Sequence, residues 1–491
     1  MLLRTTIVVA TVVAHGIAAQ VPTDSIRALN AINRDYVRFG RQYGEAIWPG
    51  FHPDTIPVAY VFPERGTALF NWRGALPSGY QRVSEIPGVA WLGRQNISAA
   101  STGTSLSGRN VAQVSVSSLR PEILLPLAFH EAFHAFEHAV QKPGLRFGQG
   151  ENSFYVASYP LFDVRNESLW ALEGRLLSEA LAAPSINRKR ELAREFVAVR
   201  RQRQQFLEPS FAEFEQASEL NEGLAEYALV KALQLLARVN GVDSFTRSAA
   251  VHMLEQRLTN LASVAETRRQ SFRLRFYQTG PAQALLLDAI GEPGWKVRLV
   301  SENQSLQDAL AQATGMDDAR MAAFRRAVAR LDTARATKDA ATRVAMLVSS
   351  RRNQVDSVLS ALGVIVEISA AELPGGDFNA CGFDPQNHLQ VSPTVQLQTR
   401  WWRPCAGGIS AEFSVPSVHD DEKGVVRAVV GALSDLKLTV AGTSIVLSTG
   451  LHIDRANDVR FEAPRANVQA KLARLSFDGR TLNVVALQPE P

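Results

Sequence analysis

The sequence predicts an α+β protein: a mainly helical body with a small N-terminal β-sheet, followed by a separate all-β domain. Three observations predict it. Short β-rich runs broken by Gly, Pro and Ser fill residues 56–118. Helix-periodic sequence dominates from Pro121 to about Leu362. After about Val364 the texture becomes strands separated by polar turns. The expected plan is a leader over 1–19, a body over 20–363 and a β domain over 364–491.

Size and charge bound the function. The 491-residue chain is 46% hydrophobic and 20% charged, the balance of a globular protein long enough for two or three cores. Its 52 basic and 48 acidic residues give a net charge of +4 with no basic tract, so nucleic acid is not an expected partner.

The chain opens MLLRTTIVVATVVAHGIAAQ. Arg4, the apolar run Ile7–Ala14 and the small residues Gly16–Ala19 form a secretory signal pattern. A secreted or periplasmic protein is expected. The apolar run is too short to span a bilayer, and nothing later is long enough. No stable membrane insertion is therefore expected once the leader is cut. Cys381 and Cys405 are the only cysteines. In an exported chain they predict one disulfide.

Residues 20–50 place Ile26, Leu29, Ile32 and Tyr36 at helix spacing. VAYVF, TALFNW, GVAWLG and NVAQVSV then predict a small sheet, its last strand Val111–Val116. Pro126 suits the first turn of the helix that follows. Ser168–Ala183 and Arg188–Leu207 read as helices within a helical insert over about 150–215. The second, KRELAREFVAVRRQRQQ, reads as a solvated charged face. Leu220–Val239, Pro281–Ile290 and parts of 304–360 continue the helical body. VIVEIS, LQVSP, VQLQTRWW, ISAEFSV, LKLTVAG, SIVLSTG and LNVVAL predict a β domain of sandwich or barrel type. It carries no chemical motif. His388, His419 and His452 stand isolated in it and read as surface or structural residues.

The chemistry concentrates in LPLAFHEAFHAFEHAV, Leu125–Val140, where three histidines and two glutamates fall within nine positions. It contains H-E-x-x-H (His130, Glu131, His134) and, overlapping it, H-x-x-E-H (His134, Glu137, His138). Two histidines at i and i+4 share one helix face and can grip one ion. The residue after the first is rotated about 100° and can reach a water on that ion. Phe129, Phe133, Phe136 and Val140 form an apolar stripe beside this arc. His138 lies about 12 Å from His130 along a straight helix, too far to share its ion.

A third ligand is offered by SELNEGLAEYALVKA, where Glu226 follows Asn221-Glu222 by one turn on the same face. These motifs resemble the gluzincin metallopeptidases, in which H-E-x-x-H is followed by an N-E-x-x-[AS]-[DE] helix. The resemblance implies zinc, one ion per chain, held by His130, His134 and Glu222, with Asn221 and Glu226 supporting. Glu226 would orient a zinc histidine, as such carboxylates fix tautomer and basicity. FYQTGPAQALLLD, Phe276–Asp288, looks like the Y-x-x-G helix of gluzincin aminopeptidases. There a tyrosine, here Tyr277, donates to the oxyanion. Two departures stand out. His134 and Glu222 are 88 positions apart (222 − 134), longer than in the best-known members. The GxMEN motif that binds a free amine is absent, so aminopeptidase specificity is not implied.

The expected function is zinc-dependent hydrolysis of peptide or protein substrates. Glu131 would activate the zinc-bound water, and the substrate would add a strand to the edge of the sheet ending near Val116. Three alternatives stay open. The inverted frame would use His134 and His138 as ligands, Glu137 as base and Glu219 or Glu222 as third ligand. The chain could be a non-catalytic binding protein on a zincin scaffold, or a zinc hydrolase of non-peptide amides.

Overall fold

The computed structural model describes residues 22–488 apart from 64, 94–100, 153, 266–271, 317–320, 323–324 and 326–332. The leader expected over 1–19 lies outside the described residues. The architecture is mixed: a small N-terminal sheet, a helical middle and a C-terminal all-β domain. The chain forms two compact units. One takes the chain up to Gly148 together with Ala225–Glu255, and the other takes Gln149–Leu224 and Gln256–Pro491.

In the first unit, α1 (Thr23–Ile47) buries the stripe of Ile26, Leu29, Ile32, Tyr36 and Phe39. Six strands follow: β1 (Val58–Phe62), β2 (Gly66–Phe70), β3 (Gln81–Arg82), β4 (Ala90–Gly93), β5 (Thr102–Leu106) and β6 (Arg109–Ser115). They form one sheet in the order β3-β4-β2-β1-β6-β5. The strand near Val116 is therefore not the edge. β6 is an inner strand, parallel to β1 and antiparallel to β5. The hairpin between β5 and β6 turns at Ser107 and Gly108, both at positive φ, as a two-residue turn of this hand requires. The TGTSL of β5 lacks apolar alternation, so its pattern gave no strand signal.

The histidine helix is α2 (Pro121–Val140). Pro121 takes the first helical position. Pro126 lies inside the helix, which forgoes one backbone hydrogen bond there. Phe129, Phe133 and Phe136 pack among Tyr36, Trp48, Phe51 and Phe147. Val140 leaves the stripe: it is exposed, because the helix ends there.

The middle of the chain supplies α3 (Tyr155–Ser158), α4 (Val164–Ala182), α5 (Ile186–Gln204), α6 (Pro209–Arg238), α7 (Ser244–Ala262), α8 (Phe276–Ala289), α9 (Trp295–Ser301), α10 (Leu306–Ala313) and α11 (Thr333–Ser360). α6 is one uninterrupted helix of 30 residues.

The reading of Arg188–Leu207 as a solvated face fails at two residues. Arg200 and Arg203 are 1% and 0% exposed. They share the inward face of α5 with Leu192, Phe196, Val197 and Val199. Glu173 on α4 and Glu215 and Glu219 on α6 neutralise them.

The all-β domain contains β7 (Val364–Ser369), β8 (Asn379–Phe383), β9 (His388–Gln390), β10 (Val395–Gln398), β11 (Trp402–Ala406), β12 (Ile409–Phe413) and β13 (Ser417–Asp420). It continues with β14 (Val425–Gly431), β15 (Lys437–Val440), β16 (Thr443–Ile445), β17 (Leu451–Ala463), β18 (Ala466–Phe477) and β19 (Thr481–Ala486). These strands form one hydrogen-bonded network rather than two separate sheets. It forks at β18, which pairs with β17 on one side and with β12 and then β19 on the other. Val366, Phe413, Val426, Phe461, Leu475 and Val484 are among its buried residues. Cys381 and Cys405 are disulfide-bonded and join β8 to β11.

Of the three histidines here, only His452 is exposed. Burial drives the pKa of His388 down to about 3, so it is neutral. His419 is buried but not isolated. Its Nε2 lies 2.8 Å from Asp377 and its Nδ1 2.9 Å from Asp421. Burial alone would lower its pKa, but the two carboxylates raise it. Asp377, His419 and Asp421 are close enough together for one ion. The imidazole nevertheless gives one nitrogen to each carboxylate, as an ion-paired imidazolium does.

Candidate metal centre

α2 turns His130 and His134 to the same side, one turn apart. Their Nε2 atoms face each other at 3.2 Å. His134 Nδ1 hydrogen-bonds to Glu137 Oε2 at 3.2 Å, and His130 Nδ1 lies 3.4 Å from Glu226 Oε1. A carboxylate beside Nδ1 favours the tautomer with the proton there, which leaves the Nε2 lone pair outward. Two such lone pairs aimed at one another repel unless a cation lies between them. Two nitrogens bound to one tetrahedral ion at about 2.05 Å each would stand about 3.3 Å apart. The observed spacing matches that demand.

Glu222 completes the group. It lies one helical turn before Glu226 on α6, so the contact of Glu226 with His130 sets where Glu222 falls. One ligand atom from each of His130, His134 and Glu222 lies within 4.8 Å of the others, and all three residues are buried. This group could hold a metal ion. His138 is not part of it and is exposed. Glu219, the other candidate third ligand, is committed elsewhere. It accepts hydrogen bonds from Arg200 at 2.7 Å and from Thr279 at 2.5 Å.

Glu131, next to His130, is 3% exposed. Asn221 Nδ2 is 3.5 Å from Glu222 Oε1. The Tyr277 hydroxyl accepts a hydrogen bond from Arg273 Nη1 at 2.8 Å. Burial and then the neighbouring Glu222 carboxylate push its pKa well above the usual tyrosine value, so it stays a donor. Three participants were not anticipated: Glu137 as the partner of His134, and Arg273 with its second carboxylate partner Glu151. Glu137 could have been found, because i and i+3 are neighbours on a helix. Arg273 and Glu151 carry no sequence signal.

Two glycines explain how Tyr277 comes so close. A Cβ on Gly223 would lie 2.6 Å from the Cα of Gly280, and one on Gly280 would lie 2.5 Å from the Cα of Gly223. α6 and α8 therefore cross backbone to backbone, immediately after Glu222 and three residues after Tyr277. The Gly of the Y-x-x-G pattern has a packing reason. Gly280→Ala is expected to lower stability by about 1–3 kcal/mol through overpacking and to weaken metal binding. Gly407→Ala, where a Cβ meets nothing within 4 Å, is the control. Urea unfolding and metal titration read both effects. An unchanged Gly280→Ala protein would show that the close crossing does not set the site.

The histidine helix is also closely covered. β5 passes over it at Gly103, whose Cβ would lie 2.7 Å from His134 Cβ and 2.9 Å from the Ala135 backbone nitrogen. Asn110 Nδ2 donates to the Ala135 carbonyl at 3.1 Å. No family model, no curated protein and no solved structure matches this chain.

Proposed function

We propose that this protein is an exported zinc metallopeptidase of gluzincin type. The observation that carries the reading is the histidine pair: Nε2 atoms 3.2 Å apart, a carboxylate beside each Nδ1, and Glu222 within reach. Two imidazoles and one carboxylate form a catalytic zinc set, which leaves a fourth position for a water or the substrate. A zinc ion held by these three residues would supply Lewis acidity to the scissile carbonyl and to a water. Glu131, buried next to His130, would accept a proton from the attacking water and return it to the leaving amine. Tyr277 donates its O–H to the developing oxyanion. β5 is the edge of the N-terminal sheet nearest α2, and it offers main-chain groups to an extended substrate. The Cys381–Cys405 bond suits an oxidising compartment outside the cytoplasm. Among the described residues no helix is long and apolar enough to cross a membrane.

The test is zinc content per chain. Wild type is expected to carry one zinc, His130→Ala to lose it and His138→Ala to keep it, with cleavage of a peptide library by the loaded wild type. Loss on His138→Ala alone would move the ligands to the inverted frame, with Glu137 as base. A wild type that takes up no zinc would end the enzyme reading.

A further inference from the structure

The turn before α8, Phe272–Arg275, carries Arg273, which is 6% exposed. Its Nη2 donates to Glu222 Oε1 at 2.6 Å, its Nη1 donates to the Tyr277 hydroxyl at 2.8 Å, and its Nε pairs with Glu151. One guanidinium thus touches the third ligand, the proposed oxyanion donor and a further buried carboxylate. All four residues belong to the same compact unit. Burial opposes a charge at Arg273, but Glu151 and Glu222 outweigh it and keep the group charged. Arginine does not escape such a site by losing its proton.

We infer that Arg273 is the built-in counter-cation of the metal centre: it stabilises the metal-free protein by neutralising Glu222, and so loosens the centre's hold on its ion. This rests on the zinc-site reading above. Metal affinity is the difference between the loaded and metal-free proteins. Without metal, the guanidinium supplies positive charge directly to two buried carboxylates, Glu151 and Glu222. With metal, the same guanidinium stands one carboxylate away from a second cation. It therefore stabilises the metal-free protein more than the loaded one.

Orientation acts in the opposite sense, since losing an outer partner of a ligand commonly lowers metal affinity. Here Glu222 keeps other supports: its place inside α6, the Gly223–Gly280 crossing and Asn221. Charge repulsion at short range in a buried site is the larger effect. The device gives a site that stays formed without metal and exchanges it reversibly.

The experiment is zinc competition against a chromophoric chelator, using the full chain stripped of metal, together with thermal unfolding of the stripped forms. Arg273→Gln should bind zinc on the order of tenfold more tightly. Its stripped form should unfold at a lower temperature, with the gap closing when zinc is saturating. Arg273→Lys, which keeps the charge, should stay near wild-type affinity. Glu151→Gln leaves the guanidinium less neutralised and should bind zinc more weakly. Wild-type or weaker zinc affinity in a folded Arg273→Gln protein overturns the inference. If that variant does not fold, an unchanged or tighter Glu151→Gln does so. A wild type that binds no zinc removes the site reading itself, a result distinct from either.

Discussion

On the proposed metallopeptidase reading, Glu131→Gln is expected to bind zinc as wild type does and to lose peptide hydrolysis by about 10²–10⁴-fold. The substitution preserves shape and removes only the ability to take a proton. Glu131 is buried beside the first histidine and outside the His130, His134, Glu222 group, so metal content should not change. Glu137→Gln should behave differently. Glu137 Oε2 accepts from His134 Nδ1, so its loss should weaken zinc binding by roughly 10–100-fold, with activity recovering as zinc is raised. Rates on fluorogenic peptides, measured with zinc content in the same samples, separate the two. If Glu131→Gln were fully active, Glu131 would not be the base. Activity loss that added zinc restores in Glu131→Gln but not in Glu137→Gln would exchange their roles.

The contrast shows what the sequence could tell and what it could not. Spacing on one helix is rigid, so His130, Glu131 and His134 were legible at once. The pairing of His134 with Glu137 follows from the same geometry, although Glu137 also fits the rival motif as a base. Glu222 is legible as a ligand only through the resemblance of Asn221, Glu222 and Glu226 to the gluzincin helix. The 88 positions from His134 to Glu222 hide the juxtaposition, and only the fold brings α6 to α2. The three-way role of Arg273 was out of reach, since Glu151 and Glu222 lie 122 and 51 positions away from it.

Strands are legible where apolar runs are dense, as at Val58–Phe62, whose five residues are all buried. β5 carries no strand signal because an edge strand of Thr, Gly and Ser with one half-buried Leu106 pairs its backbone with little apolar burial. Arg200 and Arg203 depart from the solvated reading of their charge run for a related reason. Composition prices an arginine as solvated, and only the partner carboxylates on α4 and α6 reverse that price.

That buried network gives the second large effect. Arg203→Met is expected to cost about 3–5 kcal/mol of folding stability, measured by urea unfolding at neutral pH. Arg203 bonds Glu173 and Glu215 and donates to the Tyr159 hydroxyl and to Asn166. Its guanidinium lies 4.2 Å from the Trp170 ring centroid. Methionine fills much of the space and leaves two buried carboxylates short of a counter-charge.

The pH dependence has a defined sign. In wild type, burial would raise the pKa of Glu215, but Arg203 lowers it below its usual value. A depressed folded-state pKa contributes stability above the unfolded value, and that contribution is lost as pH falls through the folded one. In Arg203→Met burial loses its main counterweight, with Arg200 and the Tyr159 hydroxyl left to oppose it, so the Glu215 pKa should rise and the variant should gain relative stability as acid neutralises the carboxylate. The gap between the two proteins should therefore narrow between neutral pH and about pH 4. Adding Glu215→Gln to Arg203→Met should recover part of the loss at neutral pH, because Glu215 has its arginine partner in Arg203 and a buried pair removed whole costs less than one broken. A gap that stays constant with pH would mean that packing, not charge, holds this region. The consequence reaches the metal centre. Arg200 ties Glu173 to Glu219, and Glu219 lies three residues before Glu222 on the same helix. The ionic network thus fixes the turn of α6 from which Glu222 projects.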